Sequence, residues 1–297
     1  MPLVPEQYKK SGAITNQVKA MVKSAVKPGA GFVEICDLVK REVEARGGRL
    51  AFPTGIGVNE VTAHYAPQDG DGSLVKEDDL VKVDFGVHVD GYVTDTSVSV
   101  TFNPDYNLIL EATERALDVA IAAARREVRT GEIGREIHRE AARFGFKTIE
   151  NLTGHTVDRY TVHAGKSIPN LYMPGMQLLK KGDVFAIEPF LTLSSAAGYV
   201  IDTPNRTIFS VVARKKTGIG ELDTFVERVW TERKTLPFTP RWYTAEFDRD
   251  KLPGIINRLV AKKVLRAYPT LVEASGKPVA QFEHTMALEE SGLVVLT

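Results

Sequence analysis

Apolar residues recur at helical spacing between Glu6 and Val26 (Ile14, Val18, Met21, Val22), and Lys27-Pro28-Gly29 ends the run. The same period returns over Phe32 to Ala45, with Ile35, Leu38, Val39 and Val43 on one stripe and Gly47-Gly48 as the stop. Phe52 to Gly72 reads as a loop. Leu80 to Val87 and Tyr92 to Phe102 read as two strands, and Asp90-Gly91 between them is a hairpin dipeptide, suited to two successive positive φ angles. Helices are predicted from about Tyr106 to Val128 and from Ile133 to Phe144, then a Gly- and His-bearing segment from Asn151 to Asn170. A strand is expected over Asp183 to Leu193, and a closing pair over Val279 to Leu288 and Leu293 to Thr297.

The stretch from Arg206 to Arg266 differs in character. Fourteen Lys or Arg stand there against seven Asp or Glu, and helical periodicity appears near Gly220–Lys234, Pro240–Phe247 and Asp250–Leu265. It reads as a helical insertion, 206–266, between two strands of one domain spanning 1–297. The whole chain balances 38 basic against 38 acidic residues, so no global charge draws it to nucleic acid or an anionic membrane. With 43% hydrophobic residues it can build a core, which excludes a disordered or disulfide-framework reading. No apolar run approaches the ~20 residues of a membrane span, and the N-terminus lacks a secretory pattern. The single cysteine, Cys36, cannot form an internal disulfide, sits mid-helix among apolar residues and reads as an inert buried thiol in a reducing, cytoplasmic setting.

Candidate chemistry lies in scattered acids and histidines. If Asp90 and Gly91 are the two loop residues, then Val89 faces Tyr92, Gly86 faces Asp95 and Asp84 faces Ser97. Asp84 and Asp95 then share one sheet face as diagonal neighbours, with Cβ atoms at most roughly 7–8 Å apart. Two carboxylates at that range can share one cation or grip two. The same alternation (Lys82, Asp84, Gly86, His88 opposite Val81, Val83, Phe85, Val87) also describes a half-solvated hairpin. Glu188 stands in Val184-Phe185-Ala186-Ile187-Glu188-Pro189-Phe190, apolar on both faces, so its carboxylate needs a partner: a cationic side chain or a metal. Glu283 alternates with apolar neighbours and could face water. His155 and His163 each adjoin or closely precede a glycine, and His64 lies in Ala63-His64-Tyr65; each is a possible ligand or an ordinary hydrogen-bonding histidine. His88 and His138 read as exposed. No Gly-x-Ser-x-Gly elbow, phosphate loop or His-Glu-x-x-His is present.

Together the run from Asp79 to Asp95, Ala51-Phe52-Pro53-Thr54-Gly55, Gly154-His155, His163-Ala164-Gly165-Lys166, Ala186-Ile187-Glu188-Pro189-Phe190 and Gln281-Phe282-Glu283-His284-Thr285 resembles the type 2 methionine aminopeptidases, in family order over nearly the whole chain. The resemblance implies the pita-bread α/β fold, two pseudo-twofold halves around a dinuclear centre of divalent cobalt, manganese, iron or zinc. It implies Asp84, Asp95, His155, Glu188 and Glu283 as ligands, with Asp95 and Glu283 bridging. It further implies His64 and His163 as substrate contacts, Glu188 as proton carrier, and Phe52, Tyr268 and Leu271 as lining of a methionine pocket. The implied activity is removal of N-terminal methionine from nascent polypeptides when the second residue is small. The chain is expected to be a monomer with no membrane or sequence-specific DNA partner, and the basic insertion could dock ribosomal RNA. An Xaa-Pro-cleaving peptidase normally carries a further N-terminal domain, for which Met1 to Leu50 is too short. A metal-free scaffold would have lost ligands, and all five positions are intact. The chain begins Met1-Pro2, so it should be a substrate of its own activity: mass spectrometry of protein from the native host is expected to show Met1 removed, and quantitative retention would contradict this.

Overall fold

The computed structural model describes residues 3–125 and 127–297, so Met1 and the expectation attached to it lie outside the described residues. Helices α1 (Glu6–Ala25) and α2 (Phe32–Ala45) come first, followed by short strands β1 (Arg49–Leu50), β2 (Gly55–Val58) and β3 (Val61–Ala63). The hairpin is β4 (Leu80–Val89) and β5 (Tyr92–Thr101). Its second counterpart begins with α3 (Asn107–Ala123) and α4 (Thr130–Arg143), then β6 (Phe146–Thr148), β7 (Thr153–Val157), β8 (Ser167–Pro169), β9 (Val184–Ile187) and β10 (Phe190–Leu193). The chain continues through β11 (Val200–Val211), α5 (Gly220–Arg233), α6 (Leu252–Ala261) and β12 (Leu265–Glu273), and closes with β13 (Val279–Gln281), β14 (His284–Glu289) and β15 (Gly292–Val295).

The architecture is a helix pair laid on antiparallel strands, made twice. In the first half, Ile14, Val18 and Val22 of α1 and Ile35, Val39 and Val43 of α2 bury against Val81, Val83, Phe85 and Val87 of β4. In the second, Ile109, Ala112, Ala116, Ile133 and Ile137 bury against Phe185, Ile187, Leu191 and Met286. The opposite faces of the two halves meet, and that junction buries Lys82, Asp95, His155 and Glu283.

Asp90 (φ 53°) and Gly91 (φ 89°) form the two-residue turn, and the strands pair Val89 with Tyr92, Gly86 with Asp95 and Asp84 with Ser97. The half-solvated alternative for this hairpin is not what is seen. Lys82 is 1% exposed and donates to the carbonyls of Asn59 (3.0 Å) and Val279 (2.8 Å), because the second half covers this face. His88, expected to be exposed, is buried beside Tyr160 and accepts from the Gly91 N–H. His138 is exposed as expected.

Two expected strands are each broken in the middle. The strand over Asp183 to Leu193 divides at Glu188-Pro189: β9 pairs with β7 and β14, whereas β10 pairs with β6 and β13. Proline has no N–H for the ladder, so the chain changes sheets there. The strand over Val279 to Leu288 divides at Phe282-Glu283, where the Glu283 N–H donates to Ser97 O at 3.1 Å. The expected loop from Phe52 to Gly72 contains β2 and β3. The two strands that flank the insertion are β11 and β12, a long pair whose alternation is interrupted by register shifts between Asp202 and Ile208. The basic helical stretch therefore opens and closes in strand, since residues 206–211 finish β11 and Leu265-Arg266 begin β12. Between them α5, a short 3-10 turn (Pro240–Tyr243) and α6 bury Leu222, Phe225, Val229, Phe238, Ile255 and Leu259 against Phe209 and Val211. Among the described residues no helix is long and apolar enough to cross a membrane.

Candidate metal centre

Each acidic or imidazole side chain at the junction is placed by a distinct local device. The hairpin register puts Asp84 and Asp95 on the inward face, and Thr285 locks the Asp95 backbone, accepting from its N–H (2.7 Å) and donating to its carbonyl (2.8 Å). His155 sits on β7 opposite Ala186 of β9. The preceding Gly154 makes that approach possible, since a Cβ there would lie 2.4 Å from the Ala186 carbonyl oxygen. Glu188 and Glu283 occupy the two strand breaks, where the backbone leaves one sheet and has not joined the next. The sequence signalled only the first, an acid next to a proline in an apolar run; Glu283, which could have faced water, is buried.

These devices converge. His155 Nε2 lies 3.6 Å from Asp95 Oδ2 and 3.6 Å from Glu188 Oε1. Asp95, His155 and Glu283, all buried, offer ligand atoms within 4.8 Å of one another. Asp84, Asp95, His155, Glu188 and Glu283 all line one cleft of about 230 Å³, together with His64, His163, Phe52 and Tyr268. Leu271 does not line it. It lies in a small cluster with Phe190, Val200 and Val279. Phe190, Ile208 and Pro237 do line the cleft and were not anticipated. Ile208 faces Tyr268 across the β11–β12 pair and would have followed from recognising β11. Pro237 depends on how the insertion folds back, for which no local pattern speaks.

Electrostatics make the cluster distinctive. Desolvation pushes the Asp84 carboxyl up to about 7. Asp95 is driven well above its usual range by desolvation and by Asp84. Glu188 is raised by desolvation and by Asp95 and Asp84, with the Gln281 amide (3.2 Å to Glu188 Oε2) acting the other way. Glu283 is raised by desolvation, then by Asp95, Glu188 and Asp84. Among the described residues none of the four pairs with Lys or Arg, which removes the cationic-side-chain alternative for Glu188. The short His155 distances are not ion pairs either, because desolvation and the neighbouring His163 ring hold His155 down to about 3, neutral with a free lone pair. Asp84 Oδ1, Asp95 Oδ1 and Glu283 Oε1 are buried without any hydrogen-bond partner. Orphaned buried oxygens are costly and rare. A divalent cation fits this set: hard oxygen donors, one neutral imidazole, and negative charge with nothing else to balance it.

Two further histidines flank the cluster. His163 stands exposed at the cleft mouth with its ring 4.4 Å from that of His155. His64 adopts a left-handed backbone (φ 62°), a conformation that costs energy at a non-glycine residue. Its Nδ1 is 3.3 Å from the Pro269 carbonyl, its ring meets Tyr268 edge-on at 5.7 Å, and burial holds it at about 4. Cys36 is a buried thiol pushed up to about 12, so it takes no part.

Residues 6–233 match metallopeptidase family M24. The methionine aminopeptidase of Pyrococcus horikoshii is 39% identical over 288 residues, 97% of each chain. Among solved structures, a thermophilic Arx1 superposes with a TM-score of 0.85 at 18% identity, covering 98% of this chain and 89% of that one. The methionine aminopeptidase of Thermotoga maritima superposes at 0.71 with 22% identity, covering 99% and 97%. At those identities the structural likenesses speak to the fold alone.

The repulsion among the carboxylates predicts an inverted stability order. A carboxyl raised in the folded state contributes stability below its unfolded value that is lost as pH rises through the folded one. Glu283→Gln removes one charge and keeps the shape. In chelator, its melting temperature is expected to exceed that of the unaltered protein by a margin that widens as pH rises above the ordinary glutamate value of about 4.3, and with divalent metal the order is expected to reverse. Comparing the two proteins cancels the opposite slope from the depressed histidines. Thermal unfolding in both conditions checks it; a variant less stable in chelator throughout would contradict it.

Proposed function

We propose that this chain, which belongs to metallopeptidase family M24, releases methionine from the N-terminus of newly made proteins whose second residue is small. The observation that carries the proposal is the meeting of four carboxylates and one neutral imidazole at the wall of a cleft that also holds His64 and His163 and an apolar stretch of Phe52, Phe190, Ile208 and Pro237. Asp84, Asp95, His155, Glu188 and Glu283 would hold two divalent ions there (cobalt, manganese, iron or zinc). When bound, such ions make water a nucleophile near neutral pH and polarise the carbonyl it attacks.

The remaining work falls to the chain itself. Glu188, one oxygen steadied by Gln281, receives the proton from the attacking water and delivers it to the departing amine. His163 and His64 hydrogen-bond the scissile amide and the developing oxyanion, contacts that speed reaction where they strengthen in the transition state; His64, neutral with Nδ1–H turned to the Pro269 carbonyl, does so by accepting at Nε2. The free α-amino group meets the acidic cluster. The methionine side chain enters between Phe52 and Tyr268, with Ile208, Phe190 and Pro237 completing the slot and Leu271 backing it from behind Phe190. Burying an unbranched thioether there contributes roughly 1.5–3 kcal/mol, and a branched or aromatic side chain meets the slot walls instead.

We place this activity in the cytoplasm, in a monomer acting on emerging chains. Part of the insertion's positive charge is paired, as in Arg214–Glu227, Arg228–Glu246 and Arg249–Asp69. Lys215, Lys216, Lys262 and Lys263 remain exposed and suit contact with ribosomal RNA, which would weaken steeply with salt.

Assay of free methionine from Met-Ala-Ser tests the reading. Release is expected with divalent metal, to cease with chelator, and to fall by about 10²-fold or more in kcat for His163→Ala. Release that survives chelation, or a His163→Ala protein with full activity, would contradict it.

A further inference from the structure

Arg233 ends α5 and is 4% exposed, yet its charge meets no carboxylate among the described residues. Glu232, the nearest acid on its helix, pairs instead with Arg228 at 3.1 Å and accepts from the Tyr243 hydroxyl. The guanidinium is spent on three backbone carbonyls. Nη1 donates to Leu50 O at 2.7 Å, and Nη2 donates to Ala51 O at 3.0 Å and to Pro237 O at 2.8 Å. The Trp242 ring covers it at 4.8 Å. Burial pulls its pKa down to about 10, so it stays charged at neutral pH.

The three carbonyls belong to both walls of the apolar slot. Leu50 and Ala51 directly precede Phe52, and Pro237 itself lines the cleft. Phe52 is seated on the metal hairpin: a Cβ at Gly86 would lie 2.4 Å from its ring, and the Ala51 N–H donates to Gly86 O at 2.7 Å. Gly86 in turn faces Asp95. One side chain from the insertion thus ties the wall registered to Asp95 to the wall the insertion supplies. The same turn reaches the loop of His163. Lys234 reverses the chain in a left-handed conformation (φ 54°), and the Thr235 hydroxyl donates to the carbonyl of Tyr160, whose N–H donates to Gly91 O at 2.7 Å.

We propose that Arg233 is a positioning residue that sets the width of the methionine slot by holding Phe52 at a fixed distance from Pro237, so that the insertion decides selectivity for the first side chain. The inference rests on the function proposed above. A flat guanidinium presents several donors at fixed angles and can hold carbonyls from two separate segments at one spacing. A lysine ammonium is a point donor on a flexible stem and cannot reproduce that spacing. Methionine gives the hydrocarbon bulk with no donor, leaving both segments free to part.

The test compares the unaltered, metal-loaded protein with Arg233→Lys and Arg233→Met on Met-Ala-Ser and Leu-Ala-Ser. A loosened slot weakens the fit of methionine and admits the branched side chain without touching the metal ligands. KM for Met-Ala-Ser is expected to rise about tenfold in Arg233→Met with kcat changed less than about threefold, and the Met-over-Leu ratio of kcat/KM to fall about tenfold, with Arg233→Lys in between. A merely structural role would lower the active fraction and scale both substrates alike, leaving KM and the ratio unmoved. Should Arg233→Met fail to fold, Arg233→Lys decides. Calorimetric affinities for free methionine and leucine give the same ratio without turnover. An unaltered protein that prefers methionine in binding but releases none from Met-Ala-Ser sinks the proposed activity alone. A folded variant keeping the original KM and Met-over-Leu ratio overturns the role of Arg233.

Discussion

Four carboxyl groups withdrawn from water at one junction, with no basic side chain among the described residues to neutralise them, are the constraint around which this molecule is arranged. An isolated ionised carboxylate is expensive to desolvate, and each further one raises the cost for its neighbours. The elements that bring them together have to overcome that repulsion. The hairpin turn at Asp90-Gly91, the close β7–β9 contact at Gly154 and the lock of Thr285 on Asp95 are such elements, and each is backed by an apolar layer under a helix pair. The protein is built so that a cation completes it, because His155 is held neutral and three carboxyl oxygens are left without partners.

How this was legible in sequence depended on the range of the interaction. The hairpin register needed only the turn dipeptide and strand alternation, and both are local, so the pairing of Gly86 with Asp95 could be read directly. Which face of that hairpin is wet is decided by the other half of the chain, and Lys82 and His88 are buried by it against local expectation. Glu188 was visible as an acid in apolar surroundings, whereas Glu283, read as able to face water, is buried by the meeting of the halves. The position of both at sheet-to-sheet breaks was not visible, since an apolar run looks the same whether one strand or two pass through it. The convergence of the five residues came from family resemblance, and no periodicity on one segment reports a meeting between segments far apart in sequence.

The insertion shows the same division. Its helices follow from their spacing and from a small aromatic core of Phe225, Phe238 and Tyr243 with edge-to-face contacts of 5.5–5.8 Å. Its ends carry strand, since β11 runs to Val211 and β12 begins at Leu265, and their register shifts blur alternation. Pro237 reaches the cleft, and Arg233 the carbonyls behind its wall, only through the way the insertion folds back, which is a tertiary fact. The cleft is therefore a joint product: the halves supply charge, and the insertion supplies part of the apolar wall.

Anomalous scattering from a crystal soaked in manganese or cobalt tests this account most directly, because it locates cations independently of turnover. The account predicts two peaks about 3.5–4 Å apart, ringed by Asp84, Asp95, His155, Glu188 and Glu283. A soaked crystal with no peak among those five side chains would contradict it.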